Sequence, residues 1–510
     1  MRTKKALINS STNIISFIII FIPNLIIRKV FFDSLGSELL GLSSLFANII
    51  GWLSIVELGI GTTIVFSLYK PYAENDQAQV RSYIRFYGKF YRVIGVIILT
   101  IGIVITPMLK YLIDNTVNIN LVYIGFLLHL LNSFISYMFS HKICILTVSQ
   151  MEYKNTILVT SSKLLIIILQ LIMFEIYPSF ILFIAIQILV NLIYFIFINF
   201  YINKEYPWLN NGEEKIPEYK KKKLTSNIRA MFMHKIGSSV VYSTDNIVIS
   251  KFVGLSSLAL YTNYQIVISA FQTLITTGMN GITASIGNLL ASNDNNKSYD
   301  VHKKIFFLSF WIVSFTVVSL YNTLNQFIGI WIGKEFILDN ATFNVVIINL
   351  YFVLMRNSVE QFQNGSGNFY QDRYAPICEA IINISVSLIL VRHIGMLGVF
   401  IGTLVSNFTV IFWTKPYVVY KYVFKRRLSE YFYMYFKYIL IATIPLCITN
   451  YLVSNIKYNY MYSSFLLNCI INIIIINLIY IIIFFKNEEF KYFTSILKKI
   501  VINKSKNKVA

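Results

Sequence analysis

Charge is scarce in this sequence. Asp, Glu, Lys and Arg make up 13% of its 510 residues, against about a quarter in soluble domains. None occurs in the 42 residues from Phe252 to Asn293, nor in 176–203, 305–333 or 458–485. A hydrocarbon core about 30 Å thick needs roughly 20 apolar residues per helical crossing. Runs like these exclude a soluble globular chain. Cysteine is scarce too. Cys144, Cys378, Cys447 and Cys469 lie far apart with no C-x-x-C pair, which leaves no metal or redox motif and reads each as a small buried hydrophobe. The five histidines lack ligand spacing, and G-x-x-x-x-G-K-[ST] and H-E-x-x-H are absent. Gly365-Ser366-Gly367 lacks the third glycine and the preceding strand of a dinucleotide fingerprint. A glycan polymerase or ligase would need a sizeable external loop, and the apolar runs leave no room for one. No catalysis, cofactor or metal is expected.

What is present is hydrophobic: 56% of residues, with a mean hydropathy of +0.64. The apolar runs are uninterrupted rather than alternating, which argues for helices over membrane strands. The chain reads as an all-α polytopic membrane protein of about fourteen crossings. These fall near 9–31, 39–69, 86–109, 119–141, 155–176, 179–202, 226–252, 258–291, 304–328, 340–363, 374–393, 396–420, 434–455 and 461–485. Arg2, Lys4 and Lys5 precede the first apolar stretch, no small-residue cleavage site follows, and Arg28-Lys29 close it. An uncleaved first span is expected.

With the amino terminus inside, the basic residues gather on cytoplasmic connections: Arg81, Arg85 and Lys89, then Lys220–Lys223, Lys303 and Lys304, Lys425–Arg427, and the carboxy-terminal tail. This is the positive-inside pattern, with both termini cytoplasmic. The net charge of +21 is then a consequence of topology, helped by anionic lipids. Nucleic acid is not expected as a partner.

The polar insert 203–223 divides the chain. At an offset of 218 residues, Gly36/Gly254, Leu40/Leu258, Leu42/Leu260, Ser67/Ser285, Ala73/Ala291, Asn75/Asn293 and Asp76/Asp294 coincide without gaps. Six crossings separate the copies, so both have the same orientation. A parallel repeat of this kind places a substrate site near the midplane. The expected organisation is a six-helix lobe over 1–203, a cytoplasmic linker over 204–224, a second six-helix lobe over 225–425, and two further helices with a basic tail over 426–510.

An ionisable group at the bilayer centre costs about 2.5–3.5 kcal/mol on insertion scales, so it normally faces protein or water. In the seventh crossing His234, Lys235, Ser238, Ser239, Tyr242, Asp245 and Asn246 recur every three to four residues and trace one polar stripe. Its repeat partner, the first crossing, carries Asn9, Asn13, Ser16, Asn24 and Arg28. Arg28 falls opposite Asn246 in the repeat. Such stripes point to a shared cavity, with hydrogen bonding inside a dry bundle as the alternative. Glu57, in the second crossing, reads either as a proton or cation site or as a carboxylate satisfied by a nearby cation or helix terminus. Arg356 and Glu360 are spaced for an intrahelical ion pair, and Lys163 is expected to snorkel to the cytoplasmic interface.

Several short pieces, in order, resemble the Wzx-type polysaccharide flippases of the multidrug/oligosaccharidyl-lipid/polysaccharide exporter superfamily. They are Leu35-Gly36, Glu38–Leu42, Glu57–Gly61, Leu68–Pro71, Asp245-Asn246, Tyr261–Tyr264, Ser285–Asn288, Asp372–Tyr374 and Gly395–Gly398. The resemblance spans roughly residues 5–425. It implies a MATE-like fold of two six-helix lobes around a cavity opening alternately to either side. It also implies a bacterial cytoplasmic-membrane location and transport of undecaprenyl-pyrophosphate-linked oligosaccharide for capsule, O-antigen or another surface glycan. Under that resemblance Arg28, Lys235 and Arg356 are the expected pyrophosphate ligands. Asn24, Ser239, Tyr242 and Asn246 would bind sugar or phosphate beside them. Asp245 and Glu57 are the candidates for coupling to H+ or Na+. Membrane lipids and other membrane proteins of polysaccharide assembly are the further expected partners. A cation-coupled multidrug exporter, a lipid II flippase and a non-transporting scaffold are the competing readings; polar intramembrane stripes speak against the last.

Overall fold

The computed structural model describes residues 2–57, 60–113, 117–210, 216, 244–280, 282, 286, 289–290, 294–368, 370–455 and 461–495. Among them every regular element is helical, and eleven helices are long and apolar enough to cross a membrane. A kink at Gly36 divides α1 (Arg2–Leu53) between the first expected crossing and the start of the second. Most of the seventh crossing, including His234, Lys235, Ser238, Ser239 and Tyr242, lies outside the described residues. The chain forms two compact units, Met1–Thr262 with Val391–Val399, and Asn263–Leu390 with Phe400–Ala510.

In the first unit α1 is followed by a 3-10 turn (Ser54–Glu57), α2 (Ile60–Ala73), α3 (Gln77–Ile105), α4 (Ile119–Phe139), α5 (Cys144–Val148), α6 (Glu152–Ile176) and α7 (Phe180–Glu205). A further helical stretch, 244–252, precedes α8 (Leu255–Asn280), of which the first unit holds the part up to Thr262. Leu42, Leu45, Phe46, Phe126, Leu130 and Ile184 are fully buried. Outside, α1 exposes Ile15, Ile18, Ile22 and Ile26. Such a surface costs nothing against lipid tails, which are as apolar as the side chains themselves.

The internal repeat appears in the backbone. Gly36 bends α1 at φ +83°, and its repeat partner Gly254 takes φ +109° before α8. Side chains with a Cβ disfavour that region. Asp76 accepts a hydrogen bond from the Gln79 amide at 2.9 Å and so caps α3. Its partner Asp294 accepts from the Lys297 amide at 2.9 Å and caps the next long helix. A side-chain oxygen at this position satisfies a donor that the first helical turn cannot.

The second unit contains α9 (Asn295–Trp331), α10 (Asn340–Ser366), most of α11 (Ala375–Ile394), the later part of α12 (Met396–Ser406), α13 (Phe412–Val418), α14 (Leu428–Asn455) and α15 (Met461–Phe484). Wide π turns, Asn407–Ile411 and Val419–Phe424, bracket α13. The last two helices are fastened to α9 by amides. Asn322 Nδ2 donates to Thr449 Oγ1 at 2.8 Å and to Asn472 Oδ1 at 2.7 Å, and Asn468 Nδ2 donates to Gln326 Oε1 at 2.9 Å. Near the start of α9 His302 is wholly buried among the rings of Tyr299, Phe306, Phe362, Tyr420 and Phe424.

Candidate functional site

Among the described residues, three polar clusters hold the candidate site residues. The first joins the two copies of the repeat inside the first unit. Arg28 Nη2 donates to Thr262 Oγ1 at 2.7 Å, and Ser44 Oγ lies 3.4 Å from the same hydroxyl. Ser44 and Thr262 are 218 residues apart, so two repeat-equivalent positions meet each other. Asn246 Nδ2 donates to Asn48 Oδ1 at 2.9 Å, and Asn48 Nδ2 donates to the Ser44 carbonyl at 2.7 Å. Asp245, 8% exposed, sits next to Asn246 in the chain. A guanidinium carries several donors in a fixed fork, and an oxyanion binds such a group more strongly than a neutral oxygen does.

The second cluster surrounds a cavity of about 850 Å3 within the first unit, lined from Ala47 to Phe195. The 3-10 turn after α1 delivers Glu57 into it. Tyr91 of α3 donates to Glu57 Oε1, and Tyr137 of α4 donates to Oε2 at 2.6 Å. Among the described residues the carboxylate is thus held by two phenols. On another wall Asn191 Nδ2 donates to Asn132 Oδ1 at 3.0 Å. Lys163 also lines this cavity.

The third cluster is in the second unit. Arg356 Nε lies 2.9 Å from Glu360 Oε1, the pair that i,i+4 spacing permits, and Lys415 Nζ approaches the same carboxylate at 3.7 Å. Lys415 is carried by α13, between the two π turns. Such turns recur at functional positions in helices.

No family model and no curated protein matches the sequence. Solved structures do. A lipid II flippase MurJ in an inward closed conformation superposes with a TM-score of 0.67 at 16% identity, over 94% of this chain and 99% of that one. A multidrug-resistance MATE family transporter of the MOP superfamily, inward-facing, gives 0.63 at 15% identity over 78% of this chain and 94% of that one. An outward-facing MATE transporter gives 0.56 at 14% identity, over 81% and 95%. The fold is that of MurJ and the MATE transporters.

Among the described residues singled out from sequence, those of the first unit fall in two clusters. Arg28 and Asn246 belong to the seam of the repeat, with Asp245 adjacent. Glu57 belongs to the first-unit cavity, and Arg356 to the second-unit cluster. Asn24 is exposed on α1, and Lys235, Ser239 and Tyr242 lie outside the described residues. The polar stripe of the first crossing divides. Asn9 accepts from the Tyr153 amide at 2.9 Å and Asn13 accepts from Thr156 Oγ1 at 2.9 Å. Those two fasten α1 to α6 and correct the reading of the whole stripe as cavity-facing. Thr262 and Lys415 were missed. Thr262 could have been found, because the offset of 218 pairs it with Ser44; Tyr91 and Tyr137 carried no comparable signal.

Proposed function

We propose that this chain is a flippase that moves undecaprenyl-pyrophosphate-linked oligosaccharide from the cytoplasmic to the external leaflet of a bacterial membrane. The observation that carries the reading is the Arg28 guanidinium, set within an apolar helix and held at 2.7 Å by an exchangeable hydroxyl. A pyrophosphate oxygen can take over that bond with a gain, since both partners are then ionised. Arg356, with Lys235, would supply further cation contacts as the cargo passes. Asn24, Ser239, Tyr242 and Asn246 supply neutral ones. Transport proceeds by alternating access, driven by H+ or Na+ through Glu57 or Asp245. The likeness to MurJ extends over 94% of the chain, against 78% for the inward-facing MATE transporter. That supports a polyprenyl-linked cargo over a small organic cation. Lipid II is the second reading, sharing the pyrophosphate and differing in the sugar.

Reconstituted vesicles test this. Purified protein should transfer undecaprenyl-pyrophosphate-oligosaccharide across the bilayer, measured by its accessibility to an added glycosidase. Efflux of a cationic dye with no glycolipid transfer would overturn the reading.

Ion coupling has its own test. Glu57→Gln keeps an acceptor oxygen for one phenol and offers an amide donor to the oxygen of the other, but cannot take up a proton. Transfer by this variant should lose its acceleration by an imposed pH gradient while retaining the slow downhill rate. An unchanged gradient dependence would remove Glu57 from the coupling role and leave Asp245, tested in the same way by Asp245→Asn.

A further inference from the structure

In the second-unit cluster two cations crowd one carboxylate. Arg356 and Lys415 approach the same Glu360 oxygen, at 2.9 and 3.7 Å. Glu379 of α11 lies close enough for the charges of Arg356, Lys415 and Glu360 to act on it. Yet it makes no hydrogen bond or ion pair among the described residues. A charged group within a membrane helix is retained for protein or water contact and is by default functional.

The backbone that carries Lys415 has slack. A π turn closes its hydrogen bonds over five residues, where an α turn closes them over four. The first π turn, Asn407–Ile411, directly precedes α13, and Pro416 lies inside α13. The proline ring has no N–H for the carbonyl four residues back, at Phe412. In a wide turn at Pro416 that carbonyl would accept from Tyr417 instead, so the extra residue can be housed there too. Both flanks are fixed. Upstream, Asn383 Nδ2 donates to Thr403 Oγ1 at 3.0 Å, and Asn349 Nδ2 to the Phe400 carbonyl at 3.0 Å. Downstream, Val418, Val419 and Tyr420 are buried, Tyr420 against the His302 ring. When the wide turn moves to Pro416, the residues it passes, Phe412–Lys415, rotate by about 100°, one residue's share of a helix with 3.6 residues per turn. Val410 and Ile411 pack on Ala375 of α11, one turn from Glu379. The second carboxylate thus borders the segment that rotates.

We propose that Lys415 is a switch with two seats. One is Glu360, with the wide turn at Asn407–Ile411 as in this structure; the other is Glu379, with the wide turn at Pro416. Arg356 stays on Glu360 throughout, so Lys415 can leave without stranding it. A packed segment with two discrete arrangements is what turns a small shift into a change of state. The switch requires nothing of the cargo; the flippase reading supplies its use, as the two states of alternating access.

Trp413 turns with Lys415. Its indole is exposed, and Nε1 donates to the Thr409 carbonyl at 2.8 Å across the wide turn. Fluorine NMR on full-length, fluorotryptophan-labelled protein in nanodiscs follows it, with the signal identified by Trp413→Phe. Glu379→Gln should shift the Trp413 populations toward the arrangement with Lys415 on Glu360. Glu360→Gln should shift them the opposite way, each by about tenfold or more, the scale of one hydrogen bond to a charged group. Lys415→Gln, which leaves the Arg356–Glu360 pair whole, should make the signal insensitive to Glu379→Gln. A Trp413 signal that neither carboxylate substitution moves, or that both move the same way, overturns the proposal. So does a response to Glu379→Gln that persists without Lys415, and this comparison decides the matter if Glu360→Gln fails to fold. Wild-type vesicles that transfer glycolipid while Trp413 ignores both substitutions would sink this inference alone. Opposite shifts in a protein that transfers no glycolipid would sink the flippase reading and leave the switch standing.

Discussion

Arg28→Ala lowers glycolipid transfer by about 10- to 100-fold at unchanged protein level, the range set by roughly 1.5–3 kcal/mol for a hydrogen bond to a charged group. The alanine removes the donor that reaches Thr262 at 2.7 Å and with it the cation offered to the pyrophosphate. Thr262 keeps a hydrogen bond to the Ala259 carbonyl at 3.0 Å, so its hydroxyl is not orphaned and the fold should survive. Arg28→Lys should recover part of the loss, because an ammonium retains the charge but not the planar fork. Combining Arg28→Ala with Lys235→Ala should abolish surface glycan in cells. Surface glycan at the wild-type amount in the double variant, with normal protein abundance, would refute the role of both.

Gly41→Ala should be nearly as damaging, through packing. Gly41 lies where α1 passes the start of α8, and a Cβ there would run into the carbonyl of Leu255, with the carbonyl carbon at 2.7 Å. Backbone cannot swing aside as a side-chain tip can, so the crossing must open or the residue must strain. Overpacking in a well-filled interior typically costs about 1–3 kcal/mol. The same crossing holds Leu40 and Leu258, both buried, and leads to the Ser44–Thr262 contact. The variant should melt several degrees lower and lose most transport. Gly278→Ala, with nothing within 4 Å of the added carbon, is the matched control and should leave both unchanged. Equal melting of the two variants would show that the close approach at Gly41 is not needed.

Why some of this was legible and some was not follows from range. Gly36, Gly254, Asp76 and Asp294 act on their own turn of backbone. A residue with no Cβ at positive φ, or a carboxylate three residues before an orphan amide, does its work locally, so the repeat could be read before any packing was known. Glu57 was visible as a carboxylate amid apolar residues, yet its partners sit on other helices, at 91 and 137. Asn9 and Asn13 shared a stripe with Arg28 by periodicity, but they face α6. A helical stripe wider than one neighbour serves two, and periodicity cannot divide it.

By itself the sequence determined a helical membrane chain, its repeat and its stock of intramembrane charge, because hydrophobic run length and helix capping depend only on residues close in the chain. The tertiary structure alone decided which polar groups meet. It set Arg28 against Thr262, clamped Glu57 between phenols and brought Lys163 to a cavity. Those outcomes depend on how each helix is rotated against its neighbours, and that rotation is settled by the packing of the whole unit.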